Sequence, residues 1–288
     1  MKGIEVKQIT KRYGKKVILN GIGFELEPNK IYGLLGRNGA GKSTLLNIMT
    51  DRVSADDGEI RLDGVDIQDN DQQLGNMYLM SEVDLYPKAA KVSQIFKWTA
   101  QLYNGFDMGL AMKLAQKFDL DVKAQFSKLS TGYRTIMKLV IALSVQVEFI
   151  FLDEPVLGLD ANHRDLFYKE LVQSYSDNPR TFVISTHLIE EVAQLIEHVL
   201  VIDQGRLIID DETEEILKNA YMISGTEEEV DQYVDGLNVI GSDKLASLKA
   251  SYVFGELDNR VIPDRVSIDK MDLQTLFINL TNGGQNNE

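Results

Sequence analysis

The sequence predicts an α/β fold: a core of buried parallel strands with an antiparallel β-subdomain before it, a helical insertion within it and a small α+β extension after it. Three observations lead there. The apolar run Ile31-Tyr32-Gly33-Leu34-Leu35 passes through Gly36-Arg37-Asn38-Gly39-Ala40-Gly41-Lys42-Ser43-Thr44 into Leu45, Leu46, Ile48 and Met49, the order strand, glycine-rich turn, helix. Glu148-Phe149-Ile150-Phe151-Leu152 and Thr181-Phe182-Val183-Ile184-Ser185 are the continuous apolar runs expected of parallel strands buried on both faces. From about Val92 to Gln146 the apolar residues instead recur at helical spacing.

The chain begins with Ile4-Glu5-Val6 and a second strand-like run from Val17 to Leu26, joined by a turn at Tyr13-Gly14. Tyr13 at the tip of a basic stretch (Lys7 to Lys16) could stack on an adenine ring, and a plain surface tyrosine is as good a reading of that residue alone. The glycine-rich loop has every fixed position of a phosphate-binding loop. Its backbone N–H groups would converge on phosphates at a helix N-terminus, with Lys42 reaching the β- and γ-phosphates, Ser43 taking a position on Mg²⁺ and Thr44 meeting an α-phosphate oxygen. Gly58 to Gly64 reads as a short strand closed by an Asp-Gly turn.

Within the helical section, Ser130 of Leu129-Ser130-Thr131-Gly132-Tyr133 stands as an N-cap, which is either a plain cap or an anion site. The buried strand that follows ends in Asp153 and Glu154 before Pro155. Beside a phosphate loop, one acid can hold Mg²⁺ and the other can orient or deprotonate a water; a strand-end acid pair without a function is the competing reading. The next buried strand delivers Thr186 and His187 to the same rim, and a helix over Leu188 to Ile196 and a hairpin over Val199 to Ile209 complete the first unit.

Beyond about Asp210 no catalytic constellation is visible. Between Tyr221 and Arg260 eight acids face three bases, and a last helix is expected over Asp269 to Leu280, leading to a Gly-Gln-Asn tail expected to be disordered. The boundaries predicted are 1–215 for the ATPase domain, with the insertion at about 83–146, and 216–288 for the acidic extension.

Composition narrows the function. The 288 residues carry 44 acidic against 30 basic side chains, a net charge of −14, whose field repels a nucleic-acid backbone. Without cysteine there are no disulfides or thiolate metal sites, and three scattered histidines (His163, His187, His198) argue against a zinc centre. The longest uncharged apolar stretch, around Leu139 to Val147, is far too short to span a bilayer.

Taken in order, the motifs over residues 3 to 215 resemble the ATP-binding subunit of an ABC transporter. Tyr13 matches the aromatic A-loop, Gly36 to Thr44 the Walker A motif, and Leu129 to Tyr133 the signature, here LSTGY. Asp153 and Glu154 match the Walker B acid and catalytic glutamate, Gly158-Leu159-Asp160 the D-loop, and His187 the switch histidine. The resemblance implies a P-loop NTPase core with a helical ABC insertion. It also implies a head-to-tail dimer, with a second copy or a paralogue, in which two ATP molecules are each held between one subunit's Walker A loop and Ser130, Thr131 and Gly132 of the other. Glu154 would polarise the attacking water, His187 and Lys42 would act on the γ-phosphate, and Asp153 with Ser43 would hold Mg²⁺. The glutamine usual before the insertion is absent: Ser81 stands there, followed by Glu82.

The resemblance further implies a motor at the cytoplasmic face of the membrane, bound to a separate membrane-spanning subunit through a groove near Leu85, Tyr86, Phe96 and Trp98, with Trp98 expected in the core. The LSTG signature and the C-terminal segment look more like exporters of peptides, lipids or drugs than like importers. The alternatives are a soluble ABC ATPase in translation or DNA maintenance, and a regulatory subunit whose acidic C-terminal segment is a sensor.

Overall fold

The computed structural model describes residues 2–258 and 260–282. The chain opens with a long hairpin, β1 (Ile4–Tyr13) and β2 (Lys16–Leu26), then enters the buried strand β3 (Ile31–Leu35) and helix α1 (Lys42–Met49). Strands β4 (Asp57–Leu62) and β5 (Val65–Asp66), the short helix α2 (Asp71–Leu74) and strand β6 (Met77–Met80) follow. Helices α3 (Val92–Leu102), α4 (Met108–Lys117) and α5 (Thr131–Ser144) form the insertion. The core resumes with β7 (Phe149–Asp153), α6 (Ala161–Asp177), β8 (Thr181–Thr186), the short α7 (Ile189–Val192), β9 (His198–Asp203) and β10 (Arg206–Glu212). The last part contains α8 (Thr213–Lys218), β11 (Ala220–Thr226), α9 (Glu227–Val234), β12 (Val239–Leu245), β13 (Leu248–Phe254), β14 (Ser267–Lys270) and α10 (Leu273–Asn282).

A six-stranded sheet of order β10-β9-β3-β8-β7-β6 carries the core; β9 to β6 run parallel and β10 pairs antiparallel at one edge. Alternation along these strands splits their side chains between two cores. Tyr32, Leu34, Phe149, Phe151 and Val183 meet α1 and the antiparallel sheet β2-β1-β4-β5 on one face. Leu35, Ile150, Leu152, Phe182 and Ile184 meet the insertion and α6 on the other. Burial on both faces explains why these strands read as unbroken apolar runs rather than as alternating ones. Their carboxyl ends converge with the turn after β3, so β3, β7 and β8 place the phosphate loop, the acid pair and His187 on one rim.

The extension is a four-stranded antiparallel sheet of order β12-β13-β11-β14. One face packs on α9 through Ile223, Val230, Tyr233 and Val253. The other joins the main core through α10, whose Leu273 and Leu276 belong to the same cluster as Ile189 and Val192 of α7.

Three expectations are corrected. The last helix begins at Leu273 rather than Asp269, because Ser267–Lys270 pairs with β11 and Asp272 then accepts from the Thr275 backbone N–H at 2.7 Å, a capping contact at the true start. The helix expected over Leu188 to Ile196 is only α7, one turn that gives way to further turns at Ala193–Leu195. Trp98 is 42% exposed while Phe96, two residues earlier on α3, is fully buried, since a helix turns by about 200° over two residues and the two point to opposite sides. The tail at 283–288 lies outside the described residues.

Candidate nucleotide site

At the strand-end rim lies a cavity of about 470 Å³ lined by Asn38, Gly39, Gly41, Lys42, Ser43 and Thr44 from the phosphate loop, Glu154 and His187 from the neighbouring strand ends, and Glu82 from the loop after β6. The loop passes into α1 through Gly41 at φ 112°, where a Cβ would lie 2.6 Å from the Leu19 side chain, so only glycine fits both the backbone and the space. No side chain caps α1, which leaves its first-turn N–H groups open to an anion.

Lys42 is 6% exposed. Its ammonium donates to the Gly36 carbonyl at 2.6 Å and lies 4.0 Å from Glu154 Oε1. Burial lowers its pKa, and the charges of Glu154 and Asp153 oppose that shift. Asp153 is buried at the end of β7 and accepts from Ser185 Oγ at 3.1 Å. Burial raises its pKa first of all, Ser43 and Ser185 pull it down, and the charges of Glu154 and Glu82 push it up again. Glu154 sits in the left-handed region at φ 48°, which costs a non-glycine residue about 1–2 kcal/mol, and the turn is held by its N–H donating to the Ser185 carbonyl at 2.8 Å. Its Oε2 is 2.9 Å from His187 Nδ1.

The donor set suits a hard cation: the Ser43 hydroxyl lines the cavity and the buried Asp153 carboxylate ends β7 directly before Glu154. Among the described residues no three acids, histidines or cysteines converge into a self-sufficient metal site. That fits Mg²⁺, which is bound through one or two protein ligands together with substrate phosphates.

Lys42, Ser43, Thr44, Asn38, Gly39, Gly41, Glu154 and His187 are thus brought together, while Gly36, Arg37 and Ala40 shape the loop behind them. Tyr13 is 53% exposed at the hairpin tip, outside the cavity wall, with Lys11 Nζ 5.6 Å from its ring centre. Lys16 and Ile18 of β2 line the cavity. Ile18 carried no signal in the sequence beyond its strand pattern. Ser130, Thr131 and Gly132 lie outside the phosphate cavity of their own chain. Ser130 caps α5, accepting from the Tyr133 N–H at 3.3 Å. Gly132 faces Gly158 so closely that a Cβ would come within 2.9 Å of its carbonyl oxygen. Thr135 Oγ1 donates to the Leu157 carbonyl at 3.1 Å, so the start of α5 is tied to the loop over 157–160.

Comparison with known proteins fits this geometry. The sequence profile of the ABC transporter family matches residues 19–157. The Nod factor export ATP-binding protein I of Burkholderia orbicola (strain AU 1054) is 31% identical over 217 residues, which are 72% of this chain and 70% of that protein. The chain belongs to the ABC transporter family. It is an ATP-binding subunit of that family, also similar to the ABC transporter ATP-binding protein YtrB of Bacillus subtilis (strain 168), at 26% identity over 219 residues and 75% of each chain. The ribose import ATP-binding protein RbsA of the same organism is 27% identical over 222 residues, but they make up only 44% of its length. Among solved structures, an ATP-binding subunit of an ABC transporter superposes with a TM-score of 0.68 at 19% identity, covering 75% of this chain and 92% of that one, which bears on the fold alone.

Proposed function

We propose that this chain is the ATP-hydrolysing motor of an exporter whose membrane-spanning part is a separate polypeptide, and that it works at the cytoplasmic face of the membrane. The observation that carries the reading is the meeting of an uncapped phosphate-loop helix and the Glu154–His187 pair in one cavity, with the buried Asp153 carboxylate directly before Glu154 at the end of β7.

Lys42 would leave the Gly36 carbonyl for the β- and γ-phosphates, bringing a partly desolvated charge whose attraction is strong because the site is buried. Ser43 and Asp153 would hold Mg²⁺, which when bound neutralises developing phosphate charge. Glu154 would take the proton of the attacking water, and His187, now 2.9 Å from Glu154, would steady that carboxylate and contact the γ-phosphate. Ser130, Thr131 and Gly132 would complete the site of a second ATPase subunit, because the N-terminus of α5, where the Ser130 side chain meets only the Tyr133 N–H, lies outside the cavity of its own chain and its dipole would favour an anion. ATP would then join two subunits head to tail, and hydrolysis would loosen them. The boundaries proposed remain 1–215 for this ATPase unit and 216–288 for the extension.

Among the described residues no helix is long and apolar enough to cross a membrane. A groove of about 200 Å³ between core and insertion offers a seat for a membrane subunit; Val83, Leu85 and Leu102 on its wall are 65%, 64% and 80% exposed. Trp98 is exposed nearby, whereas Phe96 is core and Tyr86 packs on Phe126 with its hydroxyl 3.4 Å from that of Tyr78. Export is favoured over import by the LSTG signature and by the fuller match to an export protein than to RbsA. Purification of the tagged chain from membranes of its host in mild detergent with ATP tests the assignment. A stoichiometric multi-spanning protein is the expected companion, lost on Leu85→Asp with Leu102→Asp; a soluble companion only would contradict it.

A further inference from the structure

Lys138, on the second turn of α5, is 5% exposed, and all of its polar contacts lie on the loop over 81–84. Its ammonium donates to the Ser81 carbonyl at 3.2 Å and the Glu82 carbonyl at 2.7 Å, and pairs with Asp84 Oδ1 at 2.8 Å. Those three partners account for the three protons of a lysine ammonium. Arg134, one turn earlier, takes the other Asp84 oxygen at 3.1 Å while its guanidinium lies 5.2 Å from the Phe126 ring centre. The loop held in this way has two exits. Ser81, Val83 and Leu85 form part of the apolar groove, and Glu82 reaches the phosphate cavity shared with Ser43 and Glu154. A second polar cavity of about 140 Å³ runs directly from Lys138 and Arg134 to Asp153 and Glu154.

We propose that Lys138 is a positioning residue: by clamping the 81–84 loop onto α5 it aims the Glu82 carboxylate at the metal side of the nucleotide cavity. A buried ammonium is tolerated when every proton finds an acceptor, and here the acceptors fix a backbone rather than a single side chain. The Glu82 carbonyl is held directly, so its side chain leaves the loop from a defined point. From there the Glu82 carboxylate would support a cation held by Ser43 and Asp153 as an outer-shell partner.

This inference rests on the Mg-ATP reading above. The test is Mn²⁺ titration, followed by electron paramagnetic resonance, of the full chain loaded with a non-hydrolysable ATP analogue, alongside analogue binding in EDTA. Lys138→Met and Glu82→Gln are each expected to weaken Mn²⁺ by about tenfold, as loss of an outer-shell partner does, while analogue affinity in EDTA does not fall. The double variant is expected to lose no more than Glu82→Gln alone. Asp84→Asn removes the charge anchor from a partly exposed side chain and provides the same readout if Lys138→Met does not fold; it is expected to weaken Mn²⁺ in the same direction. Unchanged Mn²⁺ affinity in the folded variants, or fully additive losses in the double variant, would overturn the proposal. Failure of the unaltered chain to bind the analogue would instead overturn the Mg-ATP reading.

Discussion

His187 Nδ1 lies 2.9 Å from Glu154 Oε2, and the opposite oxygen of the same carboxylate is 4.0 Å from Lys42 Nζ. One carboxylate therefore bridges the phosphate-loop cation and the histidine after β8, joining the two groups proposed to meet ATP. A base held in this way depends on its orienting partner. His187→Ala is expected to lower kcat for ATP by about 100-fold or more while nucleotide affinity changes little, measured by steady-state ATPase assay with fluorescent-nucleotide binding. A variant with undiminished turnover would remove His187 from the chemistry.

The start of α5 has no room for a side chain at Gly132, where a Cβ would sit 2.9 Å from the Gly158 carbonyl oxygen. Gly132→Ala must push the 157–160 loop away and shift the α5 N-terminus that is proposed to meet a second subunit's ATP. The expected result is a large loss of ATPase activity with ATP binding to the single chain preserved and with helix content unchanged by circular dichroism. Loss of ATP binding would place the defect in the wrong cavity.

His198 bridges Asp210 at 2.7 Å and Glu212 at 3.6 Å at the seam between β9 and β10. Burial pulls its pKa down, but the hydrogen bond and charge of Asp210, with help from Glu212, leave it raised above 6.5. A raised folded-state pKa means that the protonated ring favours the folded chain. Its contribution is therefore full below about pH 6.5 and is lost as pH rises through the higher folded value. In thermal unfolding scans, His198→Gln should lower Tm more at pH 6 than at pH 9; an equal loss at both would deny the ring its charge-dependent role.

The cavity walls were legible where chemistry needs a fixed spacing or an unusual residue. The loop Gly36 to Thr44, the acids Asp153 and Glu154 ending an apolar run, and His187 ending another carry their own signal, and the parallel sheet brings them to one rim. Ile18 escapes such reading because it enters from another sheet, and nothing in its local pattern says which way β2 faces. Lys138 is hidden for a similar reason. Within a helix of largely buried residues a lysine looks like a solvated face, and only the fold brings the 81–84 loop to its ammonium. Asp269 and Lys270, the end of β14, look like a helix start because so short a strand cannot distinguish a period of 2 from 3.6, and β11, which pairs with it, lies over forty residues away. Trp98, expected in the core for want of a helix phase, stands outside, while Tyr86 packs against Phe126 and still lines the groove.

The central claim is that Glu154 drives hydrolysis of an ATP that holds two subunits together. Glu154→Gln keeps the shape of the side chain and removes its basicity, so the purified variant should bind ATP, turn it over at least 100-fold more slowly and run as an ATP-dependent dimer in size-exclusion chromatography. Hydrolysis at the normal rate, or a single-chain species that ATP leaves unchanged, would contradict the account.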